Sequence, residues 1–310
     1  MAARKKVTVW GAGMTGATMA QRLVEKNIAD VTMIDIIPDM PQGKALDIME
    51  SAPVLGFETV LTGTNDPKET ADSDVVVITS GVPRKPGMTR EDLLNTNAGI
   101  VRGVVADAVR YSPNAVLIIF ANPMDVMCHV ALTASGLPRE RVVGQGGMLD
   151  TARYRTFIAM ATGASVRDVQ AWVLGGHTEA TMVPVISNAT VGGVPLTNLV
   201  SQEQAEALAQ RARNGGAEIV ALLKTGSAYY APSAATVAMA EAIVLDQKRV
   251  IPAAAYLKGE YGIQDAYVGV MIKLGAGGIE QIIETPLSEA ETGGMRKAAD
   301  AVKELVGLIQ

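Results

Sequence analysis

The chain of 310 residues has one cysteine, Cys128, so no disulfide can form within it, and a reducing, cytoplasmic setting is the expectation. Aromatic residues make up only 4% of the chain, too few for the stacking platforms that hold single-stranded nucleic acid. The 27 Lys and Arg are interleaved with 32 Asp and Glu, for a net charge of -5, which leaves no basic stripe to follow a phosphate backbone. One of the longer uncharged stretches, 180–202, contains Pro184, Asn188, Pro195 and Asn198 and cannot make a spanning helix. The first residues run directly into a strand pattern without the apolar core of a secretion signal. Neither nucleic acid nor membrane is therefore expected as a partner. No cluster of His, Cys, Asp and Glu has metal-ligand spacing, so no metal is expected either.

What remains is an apolar, glycine-rich chain, 48% hydrophobic with 31 Gly, long enough for two domains or one large α/β domain. Up to Gly144, short β-branched runs alternate with helical patterns, the rhythm of βαβ units with a parallel sheet covered on both faces. Strands are expected at 6–10, 30–34, 57–61, 74–79, 115–120 and 141–143, with helices at 15–27, 42–52, 90–111 and 123–135. That is the layout of a doubly wound dinucleotide-binding domain. Beyond Gly144 the texture is α+β: a helix at 149–162, a strand at 169–173 and a hairpin region reaching Pro195 come first. Helices at 201–224 and 227–246, strands at 249–256 and 266–273, and a last helix from Ser288 follow. The expected division is a Rossmann NAD-binding domain at 1–144 and an α+β catalytic domain at 145–310, packed tightly because no linker separates them.

The run Val9-Trp10-Gly11-Ala12-Gly13-Met14-Thr15-Gly16 places a GxGxxG motif after the first strand and at the mouth of the first helix. Gly11 suits the tight turn, Gly13 lets backbone approach a pyrophosphate, and Gly16 allows close packing of helix on strand. Met14 and Thr15 lie inside the same loop. Asp35 ends the second strand, where a carboxylate accepts both ribose hydroxyls of NAD and repels the 2′-phosphate of NADP. NAD is the expected cofactor, with Asn97 and Asn122 added to the residues expected to contact it.

Only two histidines, His129 and His177, are available as an acid or base titrating near neutrality. His129 lies inside an apolar helical run and reads as a packing residue, whereas His177 closes Leu174-Gly175-Gly176-His177, where a strand ends in flexible residues. A histidine base needs a carboxylate to hold its tautomer and stabilise its charged form. Asp150, on one helix face with Arg153 at i+3, can supply it; taken alone, the pair would read as a local ion pair near a helix start. After the fourth strand comes the loop Pro83-Arg84-Lys85-Pro86-Gly87-Met88-Thr89-Arg90, at the sheet end where ligands bind. It can act as a lid that brings Arg84 and Arg90 to a substrate. Asn122, before Pro123, ends the fifth strand in a similar place.

These motifs, together with Pro41-Gln42-Gly43-Lys44-Ala45-Leu46-Asp47, Asn122-Pro123-Met124-Asp125 and Gly215-Gly216-Ala217-Glu218, resemble the NAD-dependent lactate/malate dehydrogenase family over nearly the whole chain. The resemblance is to its lactate dehydrogenase-like malate dehydrogenases. It implies that His177 takes the hydroxyl proton of malate as hydride leaves C2, that Asp150 orients His177, and that Arg153 holds the C1 carboxylate. It implies further that Arg90 polarises the carbonyl and Asn122 helps to fix it. Arg84 would meet the far end of the substrate, where lactate dehydrogenases carry Gln, and so would favour oxaloacetate over pyruvate. A cytoplasmic homodimer or homotetramer in central carbon metabolism is implied as well, and the apolar positions Leu46, Ile48 and Met49 offer one interface. The chain departs from the family after the histidine: His177-Thr178-Glu179-Ala180-Thr181-Met182-Val183-Pro184 is one residue longer than the usual segment, with Thr178 in place of Gly. The alternatives are a lactate dehydrogenase, disfavoured by Arg84, or another 2-hydroxy-acid dehydrogenase, and a catalytically silent NAD-binding protein in which the longer segment displaces the histidine.

Overall fold

Runs of Val, Ile and Leu that are apolar on both faces suit a sheet covered on both sides. Among residues 4–82 and 87–309, which the computed structural model describes, such runs pair in parallel as β1 (Lys6–Trp10), β2 (Asp30–Ile34), β3 (Leu61–Thr64), β4 (Val75–Ile78), β5 (Val116–Ile119) and β6 (Val142–Gly144). Every residue of β4 and β5 is buried. The strand order is β3-β2-β1-β4-β5-β6, so the winding direction reverses between β1 and β4. This is the doubly wound arrangement expected from the sequence, and the reversal opens a crevice at the carboxyl ends of those two strands.

The connecting helices are α1 (Met14–Glu25), α2 (Met40–Glu50), the single turn α3 (Ala52–Leu55), α4 (Arg90–Tyr111) and α5 (Met124–Ser135). Helix α1 buries Gly16, Met19, Ala20, Leu23 and Val24, a stripe at three- and four-residue spacing that faces the sheet. Helix α4 starts at a capping box: the Thr89 hydroxyl accepts from the Asp92 amide, and the Asp92 carboxylate accepts from the Thr89 amide.

The rest of the chain forms α6 (Gly146–Thr162), β7 (Val169–Gly175), β8 (Met182–Val191), β9 (Val194–Pro195), α7 (Gln202–Leu223), α8 (Tyr230–Val244), β10 (Arg249–Lys258), β11 (Gln264–Gly275), β12 (Gly278–Ile283) and α9 (Glu289–Val306). Its strands pair antiparallel and extend the first sheet in the order β6-β10-β11-β7-β8-β9, with β12 on β11. The seam is narrow, since Gly144 of β6 pairs with Ala254 of β10. The core is broader than the seam: Val7, Val9 and Met19 share one buried cluster with Val237, Ile243 and Val268. Helix α8, apolar nearly all round, packs on α1 and carries the core from one half to the other.

The third strand lies at Leu61–Thr64 rather than at 57–61. The amides of Glu58 and Thr59 are taken by the Asn27 side chain, and that of Val60 by Asp30, so this segment is bonded to side chains before it joins the ladder. Helix α6 begins at Gly146, three residues before the expected start, and α8 begins at Tyr230 after a break that follows the positive φ of Lys224. Strand β12 is not anticipated from the sequence. Among the described residues no helix is long and apolar enough to cross a membrane.

Candidate active site

At the carboxyl ends of β1 and β4 lies a cleft of about 650 Å³, within the size range of cofactor pockets. Trp10, Gly11, Gly13, Met14, Thr15, Gly16, Asp35, Ser80, Val82 and Ile100 are among the residues that line it. Gly11 sits at φ +112°, and a side chain there would strike the Thr79 hydroxyl; one at Gly16 would strike the Gly11 carbonyl. A Cβ at Gly13 would meet no protein atom, so the space before this backbone is open to a pyrophosphate. The Asp35 carboxylate holds the turn from behind, accepting from the Ala12 amide at 2.7 Å and the Ile37 amide at 3.1 Å. Two residues not foreseen from the sequence brace the same loop. Lys44 of α2 donates to the Ala12 carbonyl at 2.7 Å, and the Ser233 hydroxyl of α8 donates to the Thr15 carbonyl at 2.9 Å.

Asn97 is buried in α4, and its amide is spent on backbone. It accepts from Val82 N–H at 2.8 Å and donates to the carbonyls of Val82 at 3.3 Å and Asn122 at 2.8 Å. Its visible work is to tie the loop after β4 to the loop after β5. Asn122 itself is exposed, and it is not among the residues lining the cleft.

The second group of predicted residues meets where β7 ends against α6. Asp150, 2% exposed, accepts on one oxygen from His177 Nδ1 at 2.6 Å and on the other from an Arg153 terminal nitrogen at 3.1 Å. With Nδ1 so engaged, Nε2 of His177 is the nitrogen available for proton exchange. Gly146 lets the start of α6 lie on the ring, since a Cβ there would press on Cβ and Cγ of His177. Arg153 fits beside Gly215 and Gly216 of α7, and its Nε is buried without a partner. Burial lowers the proton affinity of His177, but the charge and hydrogen bond of Asp150, aided by Asp125, outweigh it and set the pKa above the ordinary 6.5.

The longer segment after His177 closes on itself. The Thr178 carbonyl accepts from the amides of Thr181 at 3.0 Å and Met182 at 2.9 Å, and the two threonine hydroxyls bond at 2.6 Å. The segment is closed by this turn, and the imidazole lies on Asp150. His129 lies apart on α5, its ring centroid 6.2 Å from that of Tyr256. Arg90 stands exposed at the start of α4 and is not among the residues lining the pocket around His177. Arg84 lies outside the described residues.

Residues 5–144 match the lactate/malate dehydrogenase NAD-binding domain, and residues 147–308 match the alpha/beta C-terminal domain of the same family. The chain belongs to the lactate/malate dehydrogenase family. Its cofactor is NAD. The chain is 52% identical to the malate dehydrogenase of Roseiflexus castenholzii over 307 residues, 99% of each chain. The crystal structure of malate dehydrogenase from Salinibacter ruber is similar with a TM-score of 0.93 at 48% identity, covering 98% of this chain and 97% of that one. A lactate dehydrogenase from Cryptosporidium parvum, solved with lactic acid and NAD, is similar at a TM-score of 0.95 and 40% identity, over 99% of this chain and 98% of that one.

Asp125, at the start of α5, is the member of this site that sequence reasoning passed over. Its carboxylate accepts from the backbone N–H of His177 at 2.8 Å. A signal was present in the sequence: a carboxylate in the first turn of an otherwise apolar helix.

Proposed function

We propose that the chain is a malate dehydrogenase, interconverting (S)-malate and oxaloacetate. The observation that carries this reading is the Asp150–His177 pair, 2.6 Å apart and nearly buried, at the strand end beside a dinucleotide cleft. NAD, when bound, supplies the acceptor for the hydride of C2. The open backbone at Gly13, with Met14 and Thr15 beside it, would hold its pyrophosphate, and Asp35 its ribose hydroxyls. Asn97 would serve this site through Val82 and Asn122.

In malate oxidation His177 Nε2 takes the hydroxyl proton, and Asp150 stabilises the imidazolium that results. Arg153, on the same helix face as Asp150, holds the C1 carboxylate; a two-pronged contact suits a guanidinium. Arg90 and Arg84 act from the loop after β4, the first on the carbonyl and the second on the distal carboxylate, with Asn122 fixing the substrate. In the reverse direction the charged His177 returns its proton to the carbonyl oxygen. No residue needs to move a proton farther than this one transfer.

The first half, 1–144, takes the cofactor and reaches the substrate with Arg84, Arg90 and Asn122, while the second half, 145–310, supplies Asp150, Arg153 and His177. A cytoplasmic homodimer or homotetramer in central carbon metabolism fits the reading, and Leu46, 62% exposed on α2, offers part of an interface. Steady-state turnover of NADH with oxaloacetate and pyruvate in parallel tests the substrate. A preference for pyruvate would replace this reading with that of a lactate dehydrogenase.

A further inference from the structure

The apolar helix α5 buries Met124, Val126, Met127, Cys128, Val130 and Ala131, and among them it buries a carboxylate, Asp125, only 5% exposed. Taking such a group out of water costs several kcal/mol unless it is well paired. Its pairing is lopsided. One oxygen accepts the His177 amide at 2.8 Å, and the other is buried without any partner. A neutral acceptor would serve a purely structural hydrogen bond at lower cost, so the charge itself requires a purpose.

We propose that Asp125 is a positioning residue of the proton-transfer site, fixing the backbone of His177 after the Gly175-Gly176 pair and balancing the charge of the protonated ring. Four charged or titratable groups meet there: Asp125 from α5, Asp150 and Arg153 from α6, and His177 from the end of β7. Cys128 is the other titratable group close to Asp125, and burial keeps its thiol protonated. Ala254 of β10, Gly269 of β11 and the stretch from Val173 to Gly176 complete the pocket and bring no charge. With both carboxylates ionised and Arg153 positive, the cluster carries one net negative charge while the ring is neutral. It becomes neutral when the ring takes a proton. The first turn of α5 contributes as well, because helix N-termini favour an anion. Burial pushes the Asp125 carboxyl up to about 6, against the pull of the His177 amide and charge and with a further push from Asp150. The two titrations are therefore coupled.

This inference rests on His177 being the acid–base group, and its test has a readout apart from turnover. The chain has only two histidines, so the full-length protein labelled at histidine Cε1 gives two ring signals, with His177 assigned by loss of the other in His129→Gln. In the wild type the His177 signal is expected to titrate in two steps, the lower one following the Asp125 carboxyl. In Asp125→Asn, which keeps an acceptor for the amide, the lower step disappears and the ring titrates at a pH lower by about one unit. The pH profile of oxaloacetate reduction moves the same way. A His177 titration unchanged in Asp125→Asn overturns the proposal. If that variant does not fold, the wild-type curve decides, since a single-step titration is equally contrary. Absence of turnover in a wild type with the two-step titration would count against the dehydrogenase reading and leave the coupling standing.

Discussion

Replacing Asp150 by Asn removes the charge that holds His177 while leaving the shape of the site nearly unchanged. Two contacts are lost or weakened together: the 2.6 Å bond to the ring and the 3.1 Å bond to Arg153, both on a side chain 2% exposed. A hydrogen bond to a charged group contributes about 1.5–3 kcal/mol, which corresponds to roughly 10- to 150-fold in rate if it is made chiefly to the imidazolium. Both reaction directions should fall, because one starts from the charged ring and the other ends on it. The sign of the pH effect follows from the raised pKa of His177. Oxaloacetate reduction needs the protonated ring, so its rate falls as pH rises past that pKa. Without the Asp150 charge the fall moves to lower pH. The assay is the initial rate of NADH oxidation against pH, with NADH affinity measured separately by fluorescence. If kcat/KM for oxaloacetate in a folded Asp150→Asn variant stayed within threefold of the wild type, the pair would not be the proton-transfer device.

Arg84→Gln should lower kcat/KM for oxaloacetate relative to pyruvate by roughly 100-fold, from a lost charge-assisted contact of about 1.5–3 kcal/mol; an unchanged ratio removes Arg84 as the selector. Asn97→Ala strips three backbone groups of partners and should cost about 2 kcal/mol of stability while raising KM for NADH more than KM for oxaloacetate, as read by urea denaturation and kinetics. Gly16→Ala drives a methyl into the Gly11 carbonyl, for a loss of about 1–3 kcal/mol in stability and a weakened NADH complex by calorimetry. The Asp125 carboxyl has a folded pKa of about 6, above its ordinary 3.8, so its favourable contribution is complete below the ordinary value and is lost as pH rises through 6. Wild-type stability relative to Asp125→Asn should therefore fall by about 3 kcal/mol between pH 3 and pH 7, and parallel unfolding curves at those pH values would refute it.

The parallel half of the fold was legible because burial on both faces writes itself into β4 and β5 as unbroken apolar runs, and because the glycine loop marks the first turn. The third strand was misplaced since its entry is bonded to Asn27 and Asp30 rather than to a strand, and side-chain partners leave no periodic trace. The start of α6 was hidden by Gly146 and Gly147, which suggest a turn; here they let the helix lie close to His177 and to the Pro252 backbone. At the site, Asp150 and Arg153 announced themselves by helical spacing, and His177 by its place after a strand. Asp125 and Lys44 did not, because each acts on a backbone atom distant in sequence, 52 residues away for Asp125 and 32 for Lys44. The longer segment after His177 looked like a threat to the ring position. Its internal turn between Thr178 and Met182 closes the segment on itself, and the ring lies on Asp150.

The central claim, that this chain reduces oxaloacetate with NADH through the Asp150–His177 pair, is tested most directly by mixing the purified protein with NADH and oxaloacetate and following the loss of NADH absorbance, with pyruvate and NADPH as parallel substitutions. The account predicts rapid oxidation of NADH with oxaloacetate and far slower reaction with either substitute. Tight NADH binding without turnover of either keto acid would contradict it.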